Sequence, residues 1–400
     1  MTLKIVAPSH AGTENTLNEW ALWQLSPMAF ACDGVIAFLQ EMSTRIMRSH
    51  TCREHSELVA LAFWLREAST RQMLGEYPAN TFKALGTVVH FTPANVDTMF
   101  IYSWVCSLLA GNKNVVRVSS RSGDVQAEIL AVLNEVFAKP DYRDIAGRNV
   151  FIQYQHDVTE GTDYTASLCQ QADARILWGG DDSVNAIRQF PCKPRCRDIS
   201  FADRYSASLI DAGAVSQEYT AQQAMRLLLK DIAPYEQQAC SSPRVLFWLG
   251  SAESLSQFLT VARTLPLAQD DVSVTTKNEQ LITVQSVQLT TNVNQVINAG
   301  PLCAIECEAF DESLLVYHVG RQVLLCQCVD SINKIADEMS ARLQTLSYFG
   351  VPKEALVKFI GQPSITGIDR VVPLGRALEF APQWDGYELI SQLARRVVIE

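Results

Sequence analysis

Four hundred residues suit two or three domains, and with 48% of them apolar the chain can bury sizeable cores. Charged residues are only 19%, which excludes a disordered chain, and a net charge of −10 without a basic block excludes nucleic acid as an expected partner. The start, Met1 to Pro8, lacks the long apolar stretch of a signal peptide, and the longest apolar helical run, Phe100 to Ala110, is too short to span a bilayer. Eleven cysteines without a paired framework, together with that start, predict reduced thiols in the cytosol. Cys192 and Cys196, Cys303 and Cys307, and Cys326 and Cys328 are closely spaced, but no matching His or C-x-x-C partner accompanies them. No metal site is expected.

Residues 1–80 read as mostly helical, with apolar patches around Trp20, Trp23, Phe38, Phe63 and Trp64. A different rhythm follows. Thr87 to Phe91 is a short apolar strand, and Thr92-Pro93-Ala94-Asn95 is a turn. Val96 to Ala110 is a buried helix stopped by Gly111-Asn112. Asn114 to Ser119 is the next strand, and Val125 to Ala138 is a helix with Ile129, Leu133 and Val136 on one side. Val150 to Tyr154 and Arg175 to Trp178 are further strands, the second running into Gly179-Gly180. Strands alternating with helices imply a parallel, doubly wound α/β sheet. Ser206 to Ile210 is one more strand, a helix spans about Thr220 to Asp231, and residues 240–350 again mix both. A domain boundary is expected near 205–235.

The segment Tyr235-Glu-Gln-Gln-Ala-Cys-Ser-Ser-Pro-Arg244 is the most chemical part of the chain. It sets Cys240 between a helix-breaking Ala233-Pro234 and the apolar run Val245 to Leu249. A thiol at the junction of a loop and a buried element can use backbone N–H groups to stabilise a thiolate or an oxyanion. Read from the residues alone, Asn95 is a helix N-cap.

Together these segments resemble the aldehyde dehydrogenase superfamily, and within it the bacterial acyl-CoA (fatty acid) reductases of the luminescence type. The resemblance rests on Leu85 to Val96, Ser107 to Ser119, Ile176 to Gly180, Phe201 to Ser206, Gln237 to Pro243 and Trp384-Asp385-Gly386, in the family's order. It implies two doubly wound α/β domains with the active site between them. Residues 1–205 would be a helical segment plus the dinucleotide-binding domain, 206–370 the catalytic domain, and 371–400 a tail that could join subunits of a homo-oligomer. Cys240 would take an acyl group from a thioester, and Asn95 would help hold the oxyanion. Thr92, Pro93, Trp178, Gly179 and Gly180 would line the cofactor. Arg117, Ser119, Ser120 and Arg121 offer a guanidinium and hydroxyls where NAD-preferring relatives often carry an acid, which predicts NADPH.

Hydrolytic relatives carry a Glu in the strand after the cofactor loop. Ile199 to Ser206 has none, only Asp203, so reduction by hydride is expected over hydrolysis. Glu236 and Asp181 are the conceivable substitutes. Lys113, Arg195 and Arg197 could meet the phosphates of coenzyme A or an acidic acyl-carrier protein. Long-chain acyl groups, delivered as acyl-CoA or by an acyl-protein synthetase or carrier protein, are the implied substrates. The alternatives are reduction of another activated acyl group, or a non-catalytic acyl-binding scaffold subunit.

Overall fold

The computed structural model describes residues 3–9, 17, 20–75, 77–93, 96–120, 123–155, 159–265 and 272–400. They form two compact units, Met1–Ala202 with Phe380–Glu400, and Asp203–Glu379.

The first unit opens with strand β1 (Lys4–Ala7) and helices α1 (Asp33–Arg48), α2 (Thr51–Glu54), α3 (Ser56–Trp64) and α4 (Glu67–Leu74). Strand and helix then alternate: β2 (Phe82–Ala84), β3 (Thr87–Phe91), α5 (Met99–Leu109), β4 (Lys113–Arg117), α6 (Asp124–Phe137), α7 (Arg143–Ala146), β5 (Asn149–Gln153), α8 (Thr159–Gln171), β6 (Ala174–Trp178), α9 (Asp181–Arg188) and β7 (Arg197–Phe201). The sheet order is β1-β5-β4-β3-β6-β7. Strands β3 to β7 are parallel, and β1 lies antiparallel on β5. The helical reading of residues 1–80 thus missed β1, a four-residue strand with β-branched Ile5 and Val6 at its centre that pairs with β5.

All five residues of β3 are buried, as expected where helices cover both faces of a parallel sheet. On one face Phe38 of α1 and Trp104 of α5 surround Phe137 and Phe151, with Trp104 and Phe151 edge to face at 5.2 Å. On the other, Leu168 and Cys169 of α8 and Val184 of α9 pack against Val89, Val115 and Ile152.

The run Ala110-Gly-Asn-Lys-Asn114 builds a buried polar network beside this core. Asn112 Oδ1 accepts from the N–H groups of Leu85 (2.8 Å) and Gly86 (3.1 Å). Asn114 Nδ2 and Trp104 Nε1 both donate to Asn149 Oδ1, at 2.9 and 2.7 Å. His90 lies between Ser103 Oγ and Asn114 Oδ1, 3.1 Å from each. Burial pushes its pKa down to about 4, so the ring is neutral. Gly111 has φ 87°, and a Cβ there would lie 2.5 Å from the Met28 carbonyl oxygen.

The second unit runs β8 (Tyr205–Asp211), α10 (Glu218–Ile232), β9 (Pro243–Leu249), α11 (Ala252–Thr260), α12 (Val274–Thr290), β10 (Val293–Ala299), β11 (Leu302–Cys307), β12 (Val323–Val329), β13 (Leu343–Phe349), α13 (Lys353–Ile360) and β14 (Arg370–Pro373). Its sheet order is β10-β11-β12-β9-β8-β13-β14, parallel except for β10 at one edge. Met225 and Leu228 of α10 and Phe258 of α11 cover one face over Leu246 and Trp248. Val287 of α12 and Phe359 of α13 cover the other over Phe247 and Leu346.

The segment expected as one tail, 371–400, divides at 379. Its first part includes most of β14 and a turn capped by buried Asp231, whose carboxylate accepts from Gly375 N (2.7 Å) and Ala377 N (3.0 Å). Its second part belongs to the first unit and carries β15 (Gln383–Trp384), β16 (Tyr387–Glu388), α14 (Leu389–Gln392) and β17 (Ala394–Arg396). There β17 pairs antiparallel with β2, and Phe380 stacks on Tyr102 at 4.3 Å.

Candidate active site

Cys240 stands at the starting edge of the second unit's sheet, three residues before β9. The chain reaches it through a strained turn. Tyr235, Glu236 and Gln237 have φ of 54°, 52° and 62°, the left-handed region that costs a non-glycine residue roughly 1–2 kcal/mol. Such strain persists only where surrounding contacts impose it. Here the buried Gln237 amide donates to the carbonyls of Pro243 (2.7 Å) and Val323 (2.8 Å). Gln238 donates to Val319 O at 2.6 Å. A second left-handed turn, Gly320 to Gln322, faces the first, and Arg321 N donates to Glu236 O at 2.9 Å. A Cβ on Gly320 would come within 2.4 Å of that oxygen, so the contact requires glycine.

The sheet then fixes the thiol. Ser206 Oγ, on β8, donates to Cys240 O at 2.7 Å. Gln344 Nε2, on β13, donates to Cys240 Sγ at 3.5 Å. Parallel registers pair Ser206 with Pro243 and with Thr345, and Thr345 with Arg370. Arg244, Ser206, Gln344 and Arg370 therefore come from the first two residues of four neighbouring strands. Burial pushes the Arg244 guanidinium down, with Asp203 and then Cys240 acting against that. Burial pushes the Arg370 guanidinium down to about 10, and Cys240 is the strongest favourable charge acting against that.

Of the two acids expected as stand-ins for a base, Asp181 lies in the first turn of α9 and Glu236 is ion-paired, and the further acids Asp203 and Asp198 are ion-paired too. Asp203 pairs with Arg342, and Glu236 with Arg321. Asp198 takes a two-pronged contact from Arg175, 2.7 Å on each side. His318 is buried and neutral, its pKa pushed down to about 3 by burial and then by Arg244. Its Nε2 bonds Val323 O at 2.9 Å and its Nδ1 accepts from Gly320 N at 3.2 Å.

In the first unit the expected cofactor residues share the opposite kind of edge, where strands end. The winding reverses at β3, since β4 and β5 lie to one side and β6 and β7 to the other. Crevices at such reversals hold ligands in open α/β sheets. Thr92 and Pro93 follow β3; Ser119 and Ser120 follow Arg117, the last residue of β4; Gly179 and Gly180 follow Trp178, the last residue of β6. Thr92 Oγ1 donates to Arg117 O at 2.7 Å. The Arg117 guanidinium lies 5.2 Å from the Tyr154 ring centroid, and Trp178 stacks on Phe201 at 3.7 Å. Apart from its own chain neighbours, nothing lies within 4 Å of where a Cβ on Gly180 would sit, which leaves its backbone approachable. Asp181 and Asp182 fill the first turn of α9 and disfavour an anion on that helix terminus.

Asn95 and Arg121 lie outside the described residues. Lys113 is buried, and its Nζ donates to Trp23 O at 3.2 Å. Arg197 donates to the carbonyls of Gln392 (2.7 Å) and Ala394 (2.8 Å). Both hold the first unit together, and neither is a loose surface cation; Arg195 is exposed. Sequence reasoning missed Ser206, Gln344, Arg244 and Arg370. The available signal was polarity inside a buried strand: Gln344, Thr345 and Ser347 are all fully or almost fully buried in the run Leu343 to Phe349.

This architecture is that of the aldehyde dehydrogenases. Lactaldehyde dehydrogenase from Escherichia coli superposes with a TM-score of 0.66 at 12% identity, over 92% of this chain and 87% of that one. A Thermus 1-pyrroline-5-carboxylate dehydrogenase, solved with bound NAD, gives 0.67 at 13% identity over 94% and 82%. The family described as acyl-CoA reductase (LuxC) matches residues 53–396, and the chain belongs to it. Long-chain acyl-protein thioester reductases from Aliivibrio fischeri and Photorhabdus luminescens are 23% and 25% identical over 304 and 302 residues, 72% of this chain. Each match covers 58% of the relative's own length.

Proposed function

We propose that the chain is an acyl thioester reductase that uses NADPH and a cysteine-bound acyl intermediate to release an aldehyde. The observation that carries this reading is the presentation of Cys240 on a strained, tightly held turn, with the Gln344 amide 3.5 Å from its sulfur. A turn so heavily constrained fixes a thiol for attack, which an inert core cysteine does not need.

In this reading the Cys240 thiolate attacks the carbonyl carbon of the acyl thioester. A carbon–sulfur bond forms to Cys240, the donor's carbon–sulfur bond breaks, and the donor leaves as a thiolate. Asn95 and the Cys240 backbone N–H would hold the oxyanion between these events. The ends of β3, β4 and β6 suit a dinucleotide. Gly180 is open to close approach, and Arg117 with Ser119 and Ser120 suits a 2′-phosphate. Thr92, Pro93, Trp178 and Gly179 would complete its contacts. NADPH bound there would supply the hydride that reduces the acyl carbon, and the bond to Cys240 would then break, returning its thiolate and releasing the aldehyde. With Asp203, Glu236 and Asp198 tied to arginines, no base is offered among them to activate water, which favours reduction over hydrolysis.

The acyl donor in this reading is a long-chain acyl group on coenzyme A or on a partner protein. The names of the relatives favour the protein-borne form. A competition test separates the two. Turnover of acyl-protein but not free acyl-CoA would assign the partner-fed form, and no acyl transfer to Cys240 from either would refute the reductase.

A further inference from the structure

Of the eight non-glycine residues with positive φ among the described residues, five lie in two facing turns of the second unit: Tyr235, Glu236 and Gln237 before Cys240, and Arg321 and Gln322 before β12. Backbone of this kind persists where contacts impose it. Those contacts meet at Arg321. Its N–H donates to Glu236 O at 2.9 Å. Its guanidinium is ion-paired with the Glu236 carboxylate, and its Nε donates to Glu279 Oε2 of α12 at 2.6 Å. Its own carbonyl accepts from Gln280 Nε2 at 2.7 Å, and the same amide holds Pro301 O at 2.8 Å. Helix α12 is in turn seated on the sheet by buried Val284 and Val287.

We infer that Arg321 is a positioning residue for the Cys240 loop, a latch that ties the strained approach turn to α12 through Glu236 and Glu279. This rests on the reading of Cys240 as the nucleophile. A planar guanidinium serves two carboxylates at once in fixed directions, which an ammonium does not. Glu236, which the sequence offers as a stand-in base, is spent on the latch. Its side chain is 63% exposed, against 24% for Arg321. Water screens a pair of that exposure, so it adds little to stability. The latch acts on where the loop sits, not on whether the unit folds.

The loop has a second set of ties, which the latch does not replace. Gln237 holds it to Val323 O at 2.8 Å, and Gln238 to Val319 O at 2.6 Å. These would keep the chain in place when the ion pairs are removed. Tyr235 and Glu236 would then be free to leave the left-handed region, and the thiol would lose its fixed place against the Gln344 amide. Cys240 would react as an ordinary loop thiol does.

The test is the rate of Cys240 alkylation by iodoacetamide near neutral pH in the full chain, read by mass spectrometry of the Cys240 peptide, beside urea midpoints. Wild type is compared with Arg321→Gln, Arg321→Lys, Glu236→Gln, Glu279→Gln and the double variant Arg321→Gln with Glu236→Gln. Arg321→Gln should slow alkylation by about tenfold, a fraction of what a misplacement of about 1 Å can cost, with the urea midpoint nearly unchanged. Arg321→Lys should return part of the rate. Glu279→Gln, which reaches the loop through Arg321, should slow it too. The double variant should be no slower than Arg321→Gln, because both changes remove one shared contact. A wild-type or faster rate in Arg321→Gln would overturn the latch. So would a slowing that tracks a lowered urea midpoint and is not relieved by Lys, since that marks loss of structure. The readout needs no turnover. Retained reductase activity in Cys240→Ala would sink the nucleophile assignment separately, whatever the alkylation rates show.

Discussion

The two units build the same kind of sheet and use opposite edges of it. In the first, the candidate residues follow the ends of β3, β4 and β6, where a parallel sheet with a reversal of winding opens a crevice. In the second, Cys240, Ser206, Gln344 and Arg370 gather where strands begin. The first arrangement follows from topology and reuses a general property of the fold. The second has to be built by specific contacts, and its cost shows in three consecutive left-handed residues held by two buried glutamine contacts. A common fold supplies one kind of site, and local strain with buried polar side chains supplies the other.

The sharpest way to break this comparison is Cys240→Ala. Acyl-enzyme formation, read by intact mass, should vanish while NADPH binding, read by fluorescence titration, stays nearly unchanged. Equal loss of both would mean that Cys240 supports the fold.

Gln237→Ala should come next. It strands the carbonyls of Pro243 and Val323 and releases the left-handed turn, at about 2–4 kcal/mol for two buried contacts. Reactivity of Cys240 should fall with stability, and urea midpoints with alkylation rates would show it. A stable variant with normal reactivity would mean that the turn is not what presents the thiol.

A pH comparison probes the buried histidines of the two units. His90 and His318 are pushed down to about 4 and about 3, from an ordinary value of 6.5. The unfolded chain therefore binds protons that the folded chain refuses. Stability should fall as pH drops below 6.5, by about 2 kcal/mol per histidine at pH 5. Asp231 acts oppositely. Burial lifts it from 3.8 to about 6, so protonation relieves a buried charge as pH falls through that window. His90→Gln keeps a polar side chain without a titrating one and should flatten the decline. An unchanged slope would show that His90 is not the linked group.

The smallest expected effect is on cofactor choice. Arg117→Glu should weaken NADPH more than NADH, by about tenfold in the ratio of dissociation constants if one charge-assisted contact to the 2′-phosphate is lost. An unchanged ratio would detach Arg117 from that phosphate.

The first unit was the more legible in sequence. Thr87 to Phe91 reads as an apolar run bounded by turn residues and forms a strand over the same residues. The helix read from Val125 to Ala138 forms over Asp124–Phe137. Gly111-Asn112 reads as a helix stop and Lys113 as a possible coenzyme contact, yet Asn112 and Asn114 build a buried network tying Leu85, Trp104 and Asn149, and Lys113 donates to Trp23 O. In the second unit the candidate nucleophile, Cys240, stands out in sequence through its loop. Its neighbours do not, because Gln344 and Arg370 lie more than a hundred residues downstream, and only strand pairing brings them to Cys240. Strand order is a long-range property that local patterns do not encode.

The central claim is that Cys240 accepts an acyl group and that NADPH then reduces it. The most direct test incubates the protein with long-chain acyl-CoA or acyl-protein, without NADPH, and maps any adduct by mass spectrometry before adding the cofactor. The account predicts an acyl thioester on Cys240 that disappears on adding NADPH, with aldehyde and oxidised cofactor formed in equal amounts. An adduct on another cysteine, or aldehyde formed without any adduct, would contradict it.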